Sequence, residues 1–195
     1  MNAAKPAKAP ALTTEEVRSF LAEVFPQMGS RSVLEETGPM TSRVRIVVGE
    51  RQLRPGGTVS GPTLFAAADF AFYAAVLAMI GREALTVTTN LSIDFMRAPK
   101  SRDVIAEARI LKLGRRLAFG DVLLFSDGEP DPVARASVTY AIPDATPLTG
   151  DDRPIGAPIA ALCFPRRPPY SGSLKLRGAN GRNARLGAPQ RRDQP

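Results

Sequence analysis

The first regular feature along the chain is an apolar stripe at helical spacing. The stripe consists of Val17, Phe20, Leu21 and Val24. An apolar residue at every third or fourth position indicates an amphipathic helix. Thr13 and Glu16 supply the T-x-x-E pattern of a capping box, and Pro26 cannot continue a helix. We therefore predict a first helix over Thr14 to Phe25.

A second apolar segment has no polar face. From Leu64 to Ile80 every residue except Asp69 and Tyr73 is apolar, and a helix of that kind is buried on all sides or spans a membrane. The segment is barely long enough for a span, and an aspartate near its middle would cost about 2.5–3.5 kcal/mol in a bilayer. We therefore predict a core helix over Pro62 to Ile80 and no membrane span.

Period-two alternation predicts five strands. They run over Arg43 to Val48, Thr86 to Met96, Asp103 to Leu113, Leu117 to Phe125 and Val133 to Ile142. In the second of these, the alternation places Thr88 on the polar face. Short turns such as Gly114-Arg115-Arg116 make the later strands antiparallel. The order of helix, strand, long helix and four strands predicts an α+β fold, with one antiparallel sheet and the helices on one of its faces.

Asp69 is the residue of the core helix that most needs an explanation. Aspartates are almost never fully buried unless they are paired, and leaving one uncompensated is expensive. Asp69 is therefore either a structural carboxylate bonded to a neighbour or a catalytic or ligand-orienting group at an interface.

A loop rich in glycine and proline, from Arg54 to Pro62, leads into the core helix. Ser60 or Gly61 suits the N-cap, and Pro62 suits the first helical position. The Gly61 amide then lies where the helix dipole favours negative charge, so it is able to stabilise an oxyanion. A tight turn with an ordinary helix cap is the alternative interpretation of this loop.

Composition narrows the chemistry that the chain can perform. It has no histidine and one cysteine, Cys163. Histidine-dependent nucleophile pairs, the H-E-x-x-H zinc site and C-x-x-C motifs are therefore excluded, and we predict no metal site. Catalysis would have to use carboxylates, hydroxyls, basic side chains or backbone amides. The low cysteine count fits a reducing cytoplasm, which is the expected location.

The positive charge is concentrated at the end of the chain. Residues 151–195 contain nine Arg or Lys against three Asp, within a chain of formal net charge +7. Because proline and glycine are also frequent there, we expect a disordered basic tail over 149–195, a flexible N-terminus over 1–12 and one domain over 13–148. The tail is a solvated extension or a weak binder of anionic partners. Since Phe164 and Tyr170 are the only aromatic residues in the tail, its charges lack the aromatic interleaving of a nucleic-acid binder, and no specific nucleic-acid partner is predicted.

Together these residues resemble the hotdog-fold thioesterases, in particular the PaaI-type acyl-CoA thioesterases, over roughly Met40 to Pro143. In that family a G-G or G-P pair opens the central helix and an acidic residue follows eight positions later, as Asp69 follows Gly61 here. Many relatives have His-Gly-Gly where this chain has Ser60-Gly61-Pro62, and some have an asparagine near Arg54. Because of these differences from the family pattern, the sequence does not identify the acyl substrate, and Arg54 and Ser60 bear on whether the activity is kept, altered or lost.

The resemblance implies a hotdog fold, in which a curled antiparallel sheet of five or six strands wraps around one long central helix, with an additional N-terminal helix. It implies a homodimer, often doubled to a homotetramer, with active sites at the dimer interface. The implied reaction converts an acyl-CoA thioester and water into a carboxylic acid and coenzyme A. Coenzyme A enters only as part of the substrate, and no cofactor is implied.

The resemblance also assigns roles to individual residues. Asp69 would be the general base or nucleophile, and the Gly61 amide would be the oxyanion donor. Thr88 would help to position the attacking water, although the strand alternation alone makes it a solvated residue. Ser60 would still be able to donate a hydrogen bond.

Basic residues are candidates for binding the phosphates of coenzyme A. They are Arg97, Lys100, Arg115 and Arg116. Arginine forks suit phosphate groups, whereas the alternative is a solvated surface. A non-catalytic acyl-CoA-binding protein of the same fold is the alternative function, and a carrier-protein-linked substrate is compatible with the first one. A hotdog dehydratase is disfavoured because those enzymes usually rely on a histidine.

Overall fold

A computed structural model describes residues 9–143. The predicted basic tail over 149–195, Cys163 and most of the predicted flexible N-terminus therefore lie outside the described residues. The helices are α1 (Thr14–Val24) and α2 (Gly61–Ile80), and the strands are β1 (Ser32–Gly38), β2 (Thr41–Ile46), β3 (Leu53–Arg54), β4 (Thr58–Val59), β5 (Val87–Phe95), β6 (Val104–Leu113), β7 (Leu117–Ser126) and β8 (Pro132–Ala141).

One antiparallel sheet of six strands dominates the architecture. Its order is β1-β2-β6-β7-β8-β5, and β3 and β4 form a separate two-stranded hairpin. The sheet curls around α2, and α1 packs against the same core. This is the architecture that the hotdog resemblance implies.

The second half of α2 is enclosed, whereas its first half is covered on one side only. Every residue from Phe70 to Met79 is buried, but Pro62, Phe65 and Ala66 are exposed and Asp69 is half-buried. These four positions share one helix face, since they are spaced by three, four and seven residues. The expectation that α2 is buried on all sides is therefore wrong for this stripe of the single chain.

Helix α2 is the buried core helix rather than a membrane span. Within residues 9–143 it is the one helix that is long and apolar enough to cross a membrane. Of the apolar stretch that meets this criterion, 72% is buried inside the protein. A sheet with one apolar face accounts for that burial without any lipid.

The N-terminal capping box is confirmed. The Glu16 carboxylate accepts a hydrogen bond from the Thr13 amide at 2.8 Å, and the Thr13 hydroxyl accepts one from the Glu16 amide at 3.3 Å. The backbone donor at Thr13 holds the pKa of Glu16 below its ordinary value. The helix ends at Val24, one residue before the predicted end, and Pro26 begins a short 3-10 turn.

The sheet contains one strand more than the sequence predicts. Strand β1 pairs with β2, and a bulge between Leu34 and Glu36 interrupts its register. An inserted residue breaks the period-two pattern, and this strand carries two adjacent glutamates. Its apolar alternation is therefore too irregular to reveal a strand.

A second bulge changes the orientation of side chains on β5. Thr88 pairs with Tyr140 and Asn90 with Thr139, so Thr89 is the extra residue. One inserted residue interrupts the period-two pattern, so that residues before the bulge point to the face opposite to the one that an unbroken pattern predicts. Thr88 therefore shares the helix-facing side with its buried neighbour Tyr140, and the prediction that it lies on the polar face is wrong.

Gly120 on β7 allows the close packing of an aromatic ring on α2. A Cβ at this position would lie 2.2 Å from the carbonyl oxygen of Arg109 and 2.3 Å from Cε2 of Phe72. Phe72 is fully buried, so its ring has no room to retreat. Backbone and ring together exclude any side chain here.

We expect Gly120→Ala to lower the free energy of unfolding by at least about 1–3 kcal/mol, because overpacking forces the neighbouring strand or ring to shift. Chemical denaturation provides the measurement. Gly49→Ala is the control, because its Cβ would meet only the flexible end of Arg31 at 2.6 Å, and we expect a change within about 0.5 kcal/mol. Equal stability of the two variants would contradict the packing described.

An ion-pair network lies on the outer side of the sheet. Arg45 contacts Glu35 at 2.6 Å, Asp127 at 2.8 Å and Asp103 at 3.5 Å. Partial burial opposes ionisation of Glu35, but hydrogen bonds from Arg45 and Arg43 outweigh it and hold the pKa of that carboxyl below its usual value. A hydrogen bond from Arg45 likewise lowers the pKa of Asp127.

These lowered pKa values predict the direction of acid sensitivity. A carboxyl whose folded pKa is depressed stabilises the fold above its ordinary pKa and loses that contribution as pH falls through the folded value. We expect Arg45→Met to melt at a lower temperature than the wild type at pH 6 and to lose less further stability between pH 6 and pH 3. Arg97→Met, whose pair with Asp131 is exposed at 3.8 Å, should keep the wild-type slope in thermal melts. An unchanged slope in Arg45→Met would show that the network does not cause the acid sensitivity.

Candidate active site

The start of α2 presents a free backbone donor. Ser60 is the N-cap, and its carbonyl oxygen accepts from the amides of Thr63 at 3.1 Å and Leu64 at 3.2 Å. Pro62 has no amide hydrogen, and the Gly61 amide donates to no group within residues 9–143. The helix begins at Gly61, one residue before the predicted start, so Pro62 occupies its second position rather than its first. The dipole of α2 therefore ends in a single uncommitted N–H group.

The residues around this amide are fixed by local contacts. The Ser60 hydroxyl is bonded to that of Thr63 at 2.9 Å rather than to a backbone amide of the helix. Arg54 donates to the Thr58 hydroxyl at 2.7 Å within the β3–β4 hairpin. A Cβ on Gly61 would lie 3.3 Å from the ring of Phe95, at the end of β5. Glycine thus allows the β5 end to approach the amide closely.

Asp69 accepts two hydroxyl hydrogen bonds on the same oxygen. Its Oδ1 lies 2.6 Å from the Thr88 hydroxyl and 2.7 Å from the Tyr140 hydroxyl. Its Oδ2 has no hydrogen-bond partner within the described part of the chain. The carboxylate is half-buried, not fully buried as expected, because it lies on the uncovered stripe of α2. One oxygen is therefore anchored and the other is free to take a proton.

Tyr140 is a site residue that the sequence did not reveal. It is 2% exposed, and burial, then the charge of Asp69, raises the pKa of its phenol. The phenol accordingly stays protonated and acts as a donor. It occupies the register of Ala134, Ala136 and Val138, where only apolar side chains are expected, and a buried tyrosine hydroxyl needs a partner. A tyrosine among these apolar positions is therefore the sequence feature that could have identified it.

Gly61 and Asp69 of one chain are not brought together. Eight residues of helix separate them, which corresponds to about 12 Å along the axis. A thioester carbonyl and the water that attacks it lie about 3 Å apart in a reactive geometry. One chain therefore cannot offer both groups to the same reacting centre.

The four candidate phosphate-binding residues form two separate groups. Arg97 donates to the carbonyl oxygen of Pro132 at 2.9 Å, and Lys100 contacts Glu129 at 2.6 Å, at the end of the sheet where β5 finishes. Arg115 and Arg116 form the β6–β7 turn at the opposite end, about 30 Å away along ten-residue strands. The four do not form one cluster in a single chain.

Arg115 and Arg116 border a groove of about 1390 Å³ that also involves Met40, Arg109 and Ile142. Asp69, Gly61 and Thr88 do not line this groove. Since the carboxylate and amide carry the available chemistry, we take them, not this groove, as the centre of the site. No group of three or more His, Cys, Asp or Glu within 9–143 could hold a metal ion.

Comparison with known proteins shows which family the chain resembles. Residues 56–133 match the family model described as Thioesterase superfamily, a segment that contains Gly61, Asp69 and Thr88. The chain is 30% identical to a candidate esterase of Saccharolobus solfataricus over 135 residues, which cover 68% of this chain and 87% of that protein.

Two solved structures extend the comparison. The structure of a candidate thioesterase from Silicibacter sp. TM1040 is 51% identical, covers 71% of this chain and 96% of that chain, and has a TM-score of 0.66. A candidate thioesterase related to phenylacetic acid degradation, from Ralstonia eutropha JMP134, is 25% identical, covers 65% of this chain and 98% of that chain, and has a TM-score of 0.58.

Proposed function

Since the chain belongs to the thioesterase superfamily, we propose that it hydrolyses acyl-CoA thioesters to a carboxylic acid and coenzyme A. The observation that carries this proposal is the Asp69 carboxylate. Two hydroxyls anchor its Oδ1, its Oδ2 has no partner among the described residues, and Asp69 lies on the helix stripe that the chain leaves uncovered. A general base needs this combination of fixed orientation and a free basic atom.

In the proposed reaction Asp69 activates water. Its Oδ2 accepts a proton as the water oxygen bonds to the thioester carbonyl carbon, and the carbonyl oxygen becomes an oxyanion. The Gly61 amide, at the positive end of the α2 dipole, stabilises that charge. The intermediate then breaks its carbon–sulfur bond, and the coenzyme A thiolate takes the proton from Asp69. Direct attack by the carboxylate, followed by hydrolysis of the anhydride, is the alternative that the same geometry supports.

The 12 Å between Gly61 and Asp69 supports a site built from two copies of the chain. The stripe of α2 that includes Phe65 is uncovered, and β5 is an edge strand with exposed Val87 and Phe95. Exposed apolar residues along an unpaired strand edge favour association. We propose a homodimer in which Gly61 of one protomer and Asp69 of its partner act on the same thioester. This assembly is compatible with further pairing to a tetramer.

The same arrangement supports a role for both basic groups. Arg97 and Lys100 lie toward the end of the sheet that holds Gly61, while Arg115 and Arg116 lie toward the end that holds Asp69 and Tyr140. A two-copy site would therefore receive one group from each protomer. We propose that these groups contact the phosphates of coenzyme A, for which arginine forks are suited.

Asp69→Asn tests the catalytic assignment. Asparagine keeps the size of the side chain and an oxygen for Thr88 and Tyr140 but cannot accept a proton from water. We expect kcat to fall by about 10²–10⁴-fold, with little change in KM, in a thiol-release assay on the best substrate of an aryl and aliphatic acyl-CoA panel.

Asp94→Asn is the matched control, because Asp94 is an exposed carboxylate on β5, and it should keep wild-type kinetics. Near-wild-type turnover by a folded Asp69→Asn would refute the proposed mechanism. Binding of acyl-CoA without turnover of any panel member by the wild type would instead favour the non-catalytic alternative.

Gly61→Pro tests the amide donor, with Gly61→Ala as its control. Both substitutions add a Cβ near Phe95, but only proline removes the N–H group, and proline is tolerated at the first helical position. We expect kcat to fall about 10²–10³-fold in Gly61→Pro, as for loss of an oxyanion donor, and clearly less in Gly61→Ala.

Mixing these variants tests the two-copy site. After subunit exchange between Gly61→Pro and Asp69→Asn, one site of each mixed dimer carries both defects and the other carries neither. We expect the mixture to recover up to about a quarter of wild-type turnover, because half of the dimers are mixed and half of their sites are intact. Failure to recover any activity, with exchange verified by mass spectrometry, would place both groups in the same protomer.

A further inference from the structure

We infer that Tyr140 is a positioning residue for the proposed hydrolysis: with Thr88 it fixes Oδ1 of Asp69, so that Oδ2 alone meets the attacking water. This inference rests on the proposed function. It assigns a role to a side chain that is 2% exposed and therefore acts through Asp69 rather than on the substrate.

The two donors reach Asp69 together because of the sheet register. Thr88 and Tyr140 are direct partners on β5 and β8. The bulge at Thr89 brings the Thr88 hydroxyl to the helix-facing side, where it lies 2.6 Å from Oδ1. The Tyr140 hydroxyl lies 2.7 Å from Oδ1 and 3.1 Å from the backbone carbonyl oxygen of Asp69. Side chain and backbone of Asp69 are thus tied to the same strand.

Packing fixes the tyrosine ring itself. The Tyr140 ring centroid lies 5.4 Å from that of Phe72 and 6.1 Å from that of Tyr73, which stacks on it. Phe72 keeps its place because Gly120 leaves room for it. The hydroxyl therefore has no alternative position, and a donor that cannot move orients the carboxylate more strictly than a mobile one.

The protonation states support a lasting donor role. The titratable groups facing Tyr140 are Asp69 and Tyr73, and Glu83 lies near Tyr73. Burial and these neighbours raise the pKa of both phenols, so both stay protonated and Tyr140 remains a hydrogen-bond donor.

Tyr140→Phe tests the inference, and Tyr73→Phe is its matched control. The control removes a hydroxyl from an adjacent buried ring, but that hydroxyl donates to the carbonyl oxygen of Ala84 at 3.1 Å and not to Asp69. In Tyr140→Phe we expect kcat on the best acyl-CoA to fall about 10-fold or more, with KM within about twofold, because a hydrogen bond to a charged group is lost. Tyr73→Phe should keep the wild-type kcat and KM.

The second donor supplies a coupling test. Thr88→Val removes the other hydroxyl at nearly the same volume, and either remaining donor partly holds Oδ1. We therefore expect the fold-decrease in kcat of the double variant Thr88→Val with Tyr140→Phe to exceed the product of the fold-decreases of the two single variants. Wild-type kcat in Tyr140→Phe would overturn the role of Tyr140 while leaving the proposed hydrolysis intact.

A measurement without turnover separates the two proposals. Carbon-13 NMR of protein labelled at aspartate carboxyls, with the Asp69 signal assigned by Asp69→Asn, reports the surroundings of that carboxylate directly. At one fixed pH, the Asp69 chemical shift should move in Tyr140→Phe, which loses a hydrogen bond to Oδ1, and stay unchanged in Tyr73→Phe. If the wild type hydrolysed no thioester, the proposed function would fail, and this signal would still decide the contact. An unmoved Asp69 signal in Tyr140→Phe would overturn the inference.

Discussion

The constraint on which this structure depends is that α2 has no polar face. A helix whose residues are apolar all round must be covered on every side, and a single curled sheet covers only part of its circumference. The stripe left uncovered includes Phe65, Ala66 and Asp69. The place where the single chain leaves α2 uncovered is therefore also the place where its one core-helix carboxylate emerges, and in the proposed homodimer this stripe would bring association and chemistry together.

The sheet supplies the hydrogen-bond donors that surround that carboxylate. Helix α2 offers the Asp69 carboxylate no hydrogen-bond donor, because the Tyr73 hydroxyl bonds to Ala84 instead, and the partners of Asp69 come from adjacent positions on β5 and β8. The bulge at Thr89 is a local irregularity that turns the Thr88 hydroxyl toward the helix, where it contacts Asp69. The absence of histidine from the chain gives these hydroxyls added weight, because no imidazole is available to orient or activate water.

Much of this arrangement could be predicted from the sequence, for identifiable physical reasons. The capping box at Thr13 and the alternation of β6 and β8 are local patterns that tertiary contacts reinforce. Gly61 and Asp69 were recognisable from their spacing within one helix. Strand β1 was not, because its bulge and charged residues break the alternation. The contact between Tyr140 and Asp69 joins residues 71 positions apart, and no local pattern encodes it. The exposure of Asp69 depends on how far the sheet curls, which is also a tertiary property.

Catalysis by two copies of the chain, as proposed, is tested most directly by specific thioester turnover measured as the protein is diluted, with the mass determined at each concentration by light scattering or sedimentation. We expect a dimer or larger assembly at micromolar concentration and a specific activity that falls in proportion as monomers appear. A monomer that hydrolyses acyl-CoA at the full rate would contradict this proposal.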